Sequence, residues 1–294
     1  MPMRDLCVAI PVGGCVNEPY LEYNLKLLRD AGCLIYVGID SKESLLSLGN
    51  YESVRRLSEQ YADKVLEFPA ESYYRPGSIW KKIYDCWKDS GAPYVRALGY
   101  DDYLPIKLLR EQHAFMLSNP SIEASYSNQL IVDEVKEEEV FSNTRLNRFN
   151  RIRKLGKNPF SFICWEMRAE YILDPEFEKM LMVGCADFEC LFHTWLFKGD
   201  SAHFNSVRDG SAVRREHKYT VSYYAQTGVL TETDAKSVAM RDITGYSMDQ
   251  IMEDWYSLNF PKYVRDIRFE KSPLVAILAE LEDKIRGVPY HTLK

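Results

Sequence analysis

Between residues 6 and 98 the chain alternates short β-rich apolar runs with longer amphipathic ones, and this alternation narrows the available folds more than any other feature. Runs at 6–10, 34–39, 65–68 and 94–98 read as strands, and stretches at about 20–31, 45–61 and 78–87 carry apolar residues at helical spacing. The order is βαβαβαβ. Strands that return parallel to one another need a crossover long enough for a helix, so this order predicts an α/β fold. Its sheet should be mostly parallel and doubly wound, with right-handed crossovers and flanking helices. Pro105 then opens a helix to about residue 117, and 124–132 reads as one further strand.

Beyond residue 132 the pattern loosens. Residues 133–139 are acidic, and 145–157 are strongly basic, with Arg148, Arg151, Arg153 and Lys154 interleaved with Asn147, Phe149 and Asn150. Such a run is either a solvated surface segment or an anion-binding flap over a phosphate, an acidic lipid head group or a nucleic-acid backbone. A strand-like pattern resumes at 160–165. Phe188, Leu191, Phe192, Trp195 and Leu196 then mark a helix at 187–197 that Gly199 stops. After residue 219 the pattern turns helical, with a capping box at Ser247-Met248-Asp249-Gln250 and a helix opened by Ser272-Pro273 and closed by Gly287. These breaks divide the chain into a domain at 1–219, with halves of about 1–132 and 133–219, and a helical C-terminal appendage at 220–294.

The 294 residues, 46% of them hydrophobic and 27% charged, can bury a sizeable core. A net charge of -6 argues against the whole surface being a polyanion binder, though a local basic patch remains open. The seven cysteines form no C-x-x-C pair or regular framework, which fits reduced thiols better than disulfides. The N-terminal stretch does not read as a leader, and no transmembrane segment of roughly 18 apolar residues is present. The expectation is a cytoplasmic protein, free or peripheral at a membrane.

Two apolar runs end in carboxylates. Asp40, followed by Ser41, closes the second run, and Gly99-Tyr100-Asp101-Asp102 closes the fourth. Ligands of open α/β sheets bind outside the carboxyl ends of the strands, so acids delivered there share one crevice. Paired hard oxygens suit Mn²⁺ or Mg²⁺, which take one or two protein carboxylates and complete their shell with substrate phosphates and water. Each acid also has a plainer reading, since Asp is common in turns and among the best helix caps, as at Asp187.

Taken in order, Ile10-Pro11-Val12, Asn17-Glu18-Pro19-Tyr20-Leu21, Asp40, the 98–105 segment and Ala186-Asp187-Phe188-Glu189 resemble the family-two glycosyltransferases of GT-A fold, over roughly residues 5–218. The resemblance implies a nucleotide-sugar donor contacted by Pro11, Val12, Glu18 and, through its base, Asp40. It implies that Asp101 is the metal-binding acid of the D-x-D segment, with Asp102 beside it, and that Asp187 is the general base. His217, in Arg214-Arg215-Glu216-His217, resembles a late metal or phosphate contact, and Arg214 and Arg215 resemble a diphosphate clamp. Two positions depart from the pattern. Gly99 replaces the first acid of D-x-D, whose contact with the nucleotide ribose is then lost or supplied by a neighbour, and Ala186 replaces the acid before Asp187.

The implied chemistry is transfer of a sugar to a hydroxyl acceptor. A cation at Asp101 offsets charge on the departing phosphate, and Asp187 takes the acceptor proton. A single base opposite the leaving group gives inversion. The acceptor class stays open among glycan, lipid-linked and nucleic-acid hydroxyls, and the C-terminal helices are a candidate homo-oligomer contact. Three other readings also stay open: a nucleotidyltransferase, a nucleic-acid-modifying sugar transferase using residues 145–157, and a non-catalytic binding module. His193, Trp165 and Trp195 are candidates for either helix packing or an acceptor-stacking wall.

Overall fold

The computed structural model describes residues 2–12, 17–41, 51–68, 78–134, 136–142, 162–175, 177–178, 201–205, 211–216 and 291–292. In chain order the elements are β1 (Leu6–Val12), α1 (Glu18–Ala31), β2 (Leu34–Asp40), α2 (Tyr51–Tyr61), β3 (Lys64–Phe68), α3 (Ser78–Ser90), β4 (Tyr94–Ala97), α4 (Ile106–Ser118), β5 (Ala124–Ser127), β6 (Gln129–Asp133) and β7 (Glu138–Ser142). A 3₁₀ turn (Phe162–Cys164), β8 (Trp165–Arg168), the short α5 (Ala169–Ile172), β9 (Ser201–Asn205), β10 (Ala212–Glu216) and β11 (His291–Thr292) follow.

Eight strands form the main sheet in the order β11-β9-β5-β8-β4-β1-β2-β3. β1 pairs in parallel with both β2 and β4, and β2 with β3, so the predicted parallel half is present. β8 is the exception. It lies antiparallel between β4 and β5, which makes the sheet mostly rather than wholly parallel. A second sheet, β10-β6-β7, stands beside the first.

Two sequence expectations need correction. The single strand read at 124–132 is two strands in different sheets, separated at the buried Asn128: β5 pairs with β8 and β9, whereas β6 pairs with β7 and β10. The apolar pattern continues across that break because both strands bury residues, so periodicity does not reveal it. The strand read at 160–165 starts later, with a 3₁₀ turn over Phe162–Cys164 and the strand itself at Trp165–Arg168. At the C-terminus, the two described residues of the expected helical appendage, His291 and Thr292, pair with Phe204 and Asn205 of β9.

The core lies around the central strands. Leu6, Val8, Ile10, Ile35, Val37, Val95 and Trp165 are fully buried. Such continuous burial is what a parallel strand covered on both faces requires. α3 packs on β1 and β2, where its approach is close. A Cβ at Gly38 would stand 3.0 Å from Lys82 Cβ and 3.2 Å from Phe68, so only glycine lets the helix sit this near. α1 buries Leu21, Asn24, Leu25, Leu28 and Ala31 at helical spacing, and the polar Asn24 in that apolar stripe foreshadows a job at the site.

A buried polar chain ties the middle of the sheet together. Arg96 on β4 donates to Gln112 at 2.8 Å and to the Ile163 carbonyl at 2.7 Å, and lies 3.8 Å from Glu166 on β8. His113 on α4 bonds Glu166 at 2.7 Å and Asp5 at 3.0 Å. Burial lowers the His113 pKa, but the hydrogen bonds and charges of Glu166 and Asp5 outweigh it and leave the group raised. This chain fixes β4 against α4 and β8, and so fixes where the turn after β4 begins.

Candidate functional site

The sheet order puts the carboxyl ends of β2, β1 and β4 side by side. Pro11 and Val12 close β1, opposite Gly38 and Ile39 of β2, while Asp40 closes β2. β4 ends one residue before the Leu98 N–H donates to the Ala9 carbonyl at 3.0 Å, and the chain then turns away through Gly99, Tyr100, Asp101 and Asp102. The groups expected at the strand ends therefore share one edge, the place where open α/β sheets bind ligands.

The acidic turn is held from three directions. Its own Asp102 N–H donates to the Gly99 carbonyl at 3.2 Å. Asn24, buried on α1, donates to the carbonyls of Tyr100 at 2.9 Å and Asp102 at 2.6 Å. β10 supplies the third hold: Tyr103 and Val213 exchange backbone hydrogen bonds of 2.8 Å, and the Arg215 N–H donates to Asp102 Oδ1 at 3.1 Å. Neither Asn24 nor Val213 could be assigned this role from its own segment. The polar residue in the buried stripe of α1 is the one signal that could have found Asn24.

Asp101 is half-buried and Asp102 is buried at 6% exposure. Burial, reinforced by the charge of Asp101, pushes the Asp102 carboxyl up to about 8, against the opposing pull of the Arg215 N–H and the Arg214 and Arg215 charges. Arg215 is drawn into the same cluster. Its guanidinium donates to the Asp101 carbonyl at 3.2 Å, sits 4.4 Å over the Tyr20 ring and lies 3.9 Å from Glu134, which accepts the Tyr20 hydroxyl at 2.9 Å. The structure thus brings Asp101, Asp102, Arg214 and Arg215 together.

Asp40 has a partner that sequence reasoning missed. Lys82, one turn into α3, forms a buried ion pair with it, the Lys82 side chain being 5% and the Asp40 side chain 9% exposed. Adjacent lysines on an amphipathic helix read as a solvated face, and only the packing of α3 over Gly38 reveals that Lys82 points inward. Glu18 opens α1 and accepts the Ser53 hydroxyl of α2 at 2.6 Å, which anchors one helix on the other. Trp165 is fully buried, with its ring 4.7 Å from that of Tyr126, so it packs the core and forms no stacking wall. Asp187, His193, Trp195, His217 and the basic segment at 145–157 lie outside the described residues.

Among the described residues, no group of three or more His, Cys, Asp or Glu side chains is arranged to hold a metal ion. Two carboxylates nevertheless converge. A Cβ at Gly99 would collide with Asp102 Oδ2 and stand 3.2 Å from Asp101 Oδ1, so both acids face the space above this glycine. Two carboxylates side by side above this glycine fit Mn²⁺ or Mg²⁺, which take one or two protein carboxylates and draw further ligands from phosphate and water. Among the described residues, no helix is long and apolar enough to cross a membrane.

No protein-family model matches the chain, and no curated protein sequence matches it. Among solved structures it is similar to TarS 1-349 of S. aureus in complex with UDP-GlcNAc, at 11% identity and a TM-score of 0.49, over 99% of this chain and 93% of that one. It is also similar to the mannosyltransferase PcManGT from Pyrobaculum calidifontis in complex with GDP-Man and Mn²⁺, at 13% identity and a TM-score of 0.44, over 97% of this chain and 81% of that one. At such identities the likeness concerns the arrangement of elements, and the fold described above stands on the chain's own strand order.

Proposed function

We propose that this chain is a GT-A-type glycosyltransferase that moves a sugar from a nucleotide-sugar donor to a hydroxyl acceptor. The observation that carries this reading is the shared edge formed by the ends of β1, β2 and β4, with Asp40 at one side and the pinned acidic turn at the other. Asp40, held by its buried ion pair with Lys82, would meet the base. Pro11, Val12 and Glu18 would line the nucleoside, and Arg214 and Arg215 would face the diphosphate.

Asp101 and Asp102 would hold a divalent cation, with His217 as a further ligand. When bound, that cation supplies positive charge against the phosphate oxygens of the leaving group. Asp187 would accept the proton of the attacking hydroxyl, and one base opposite the leaving group gives inversion.

The test is incubation with UDP- and GDP-sugars and Mn²⁺, following the released nucleotide by chromatography. Release of nucleoside diphosphate, abolished by Asp187→Asn, supports the reading. Release of sugar 1-phosphate, the leaving group of attack at the α-phosphorus, would instead make the chain a nucleotidyltransferase.

A further inference from the structure

Position 99 is where the resemblance calls for the first acid of D-x-D, and the chain carries glycine there. The space that a side chain at 99 would enter is taken. Its Cβ would collide with Asp102 Oδ2 and stand 3.0 Å from Asp102 Cγ, with Asp101 Oδ1 at 3.2 Å. A carboxyl group carried on residue 99 would have to grow through the carboxyl group of Asp102.

The Asp102 group reaches this spot because the turn is built to fold it back. The Asp102 N–H closes on the Gly99 carbonyl at 3.2 Å, and Asn24 clamps the carbonyls of Tyr100 and Asp102 from below. The Arg215 N–H fixes Oδ1 at 3.1 Å, which orients Oδ2 over the glycine.

We propose that Asp102 supplies, from three residues further along, the carboxylate that position 99 lacks, and that glycine at 99 makes room for it. The proposal rests on the donor-site reading above and adds that the acid has been relocated rather than lost. Asp102 then makes the nucleotide-ribose contact that the resemblance assigns to position 99, beside Asp101 at the cation. Restoring the expected acid at 99 breaks the site, because two carboxylates cannot occupy the space of one.

The test is calorimetric titration of UDP and of GDP in the presence of Mn²⁺, on wild type, Asp102→Asn, Gly99→Asp and the exchange variant Gly99→Asp/Asp102→Gly. Asn at 102 still accepts from the Arg215 N–H, so an unchanged ligand-free melting temperature shows that the turn is intact. The expected result is binding of one nucleotide by wild type, at least tenfold weaker binding by Asp102→Asn and by Gly99→Asp, and recovery in the exchange variant. Wild-type affinity in Asp102→Asn, or affinity in Gly99→Asp equal to wild type, overturns the proposal and leaves the donor-site reading standing. No nucleotide binding by wild type overturns both.

Discussion

Replacing Lys82 by methionine removes an ammonium group from a place where water cannot substitute for it. Lys82 is 4% exposed and Asp40 is 8% exposed, beneath a helix that packs directly on Gly38. Methionine keeps most of the lysine stem, so the cavity left is small and the main effect is a buried carboxylate without its counter-charge. Breaking such a pair costs about 3–5 kcal/mol. Exposed pairs such as Lys64 with Asp89 belong to a different regime, because solvent screens them. Against a total stability of about 5–15 kcal/mol, this is a large fraction. At roughly 2 °C per kcal/mol for a chain of this length, Lys82→Met should melt about 6–10 °C below wild type. Lys82→Met/Asp40→Asn should recover more than half of that loss, since no uncompensated charge is left behind. Thermal and urea unfolding followed by circular dichroism measures both. A single-variant loss below about 1 kcal/mol, or a double variant that loses as much as the sum of the single changes, would refute a buried, coupled pair.

Gly38→Ala should cost about 1–3 kcal/mol in urea unfolding, because its Cβ meets Lys82 Cβ at 3.0 Å and Phe68 at 3.2 Å and forces α3 away from β2. Trp165→Ala should cost about 3–5 kcal/mol by the same assay, as the ring is fully buried against Tyr126. His113 makes stability depend on pH. Its folded-state pKa is raised, so the contribution of the protonated ring is full below the unfolded value of about 6.5 and is lost as pH rises through the folded value. The urea midpoints of wild type and His113→Gln should therefore converge as pH rises above about 6.5, and a gap that widens with pH there would reverse the sign assigned here.

The parallel half of the sheet was legible because each of its elements carries its own period: 2 or continuous burial in the strands, 3.6 in α1 and α3. β8 was not, since a strand that inserts antiparallel between β4 and β5 has no local mark that distinguishes it from an edge strand. The division at Asn128 was hidden for a related reason, because residues on both sides of it face buried surroundings in different sheets. At the site, the acids were visible through their position at strand ends. Arg215 was legible as a candidate phosphate contact, though not as the N–H that holds Asp102. Asn24 and Lys82 were not legible, because they reach the site from distant segments and the value of each comes from what the fold places opposite it. Gly99 shows the limit most clearly: in sequence it is a missing acid, and in space it is the gap that Asp102 fills.

The most direct test of the donor site is thermal stability against nucleoside diphosphates and nucleotide sugars, each with and without Mn²⁺, on wild type and Asp101→Ala. Binding to the native state raises the melting temperature by mass action, so no acceptor need be known. A donor site at the end of β4 predicts a rise that favours one nucleotide, needs the cation and disappears in Asp101→Ala. The absence of any rise across the panel, or an equal rise in the variant, would contradict it.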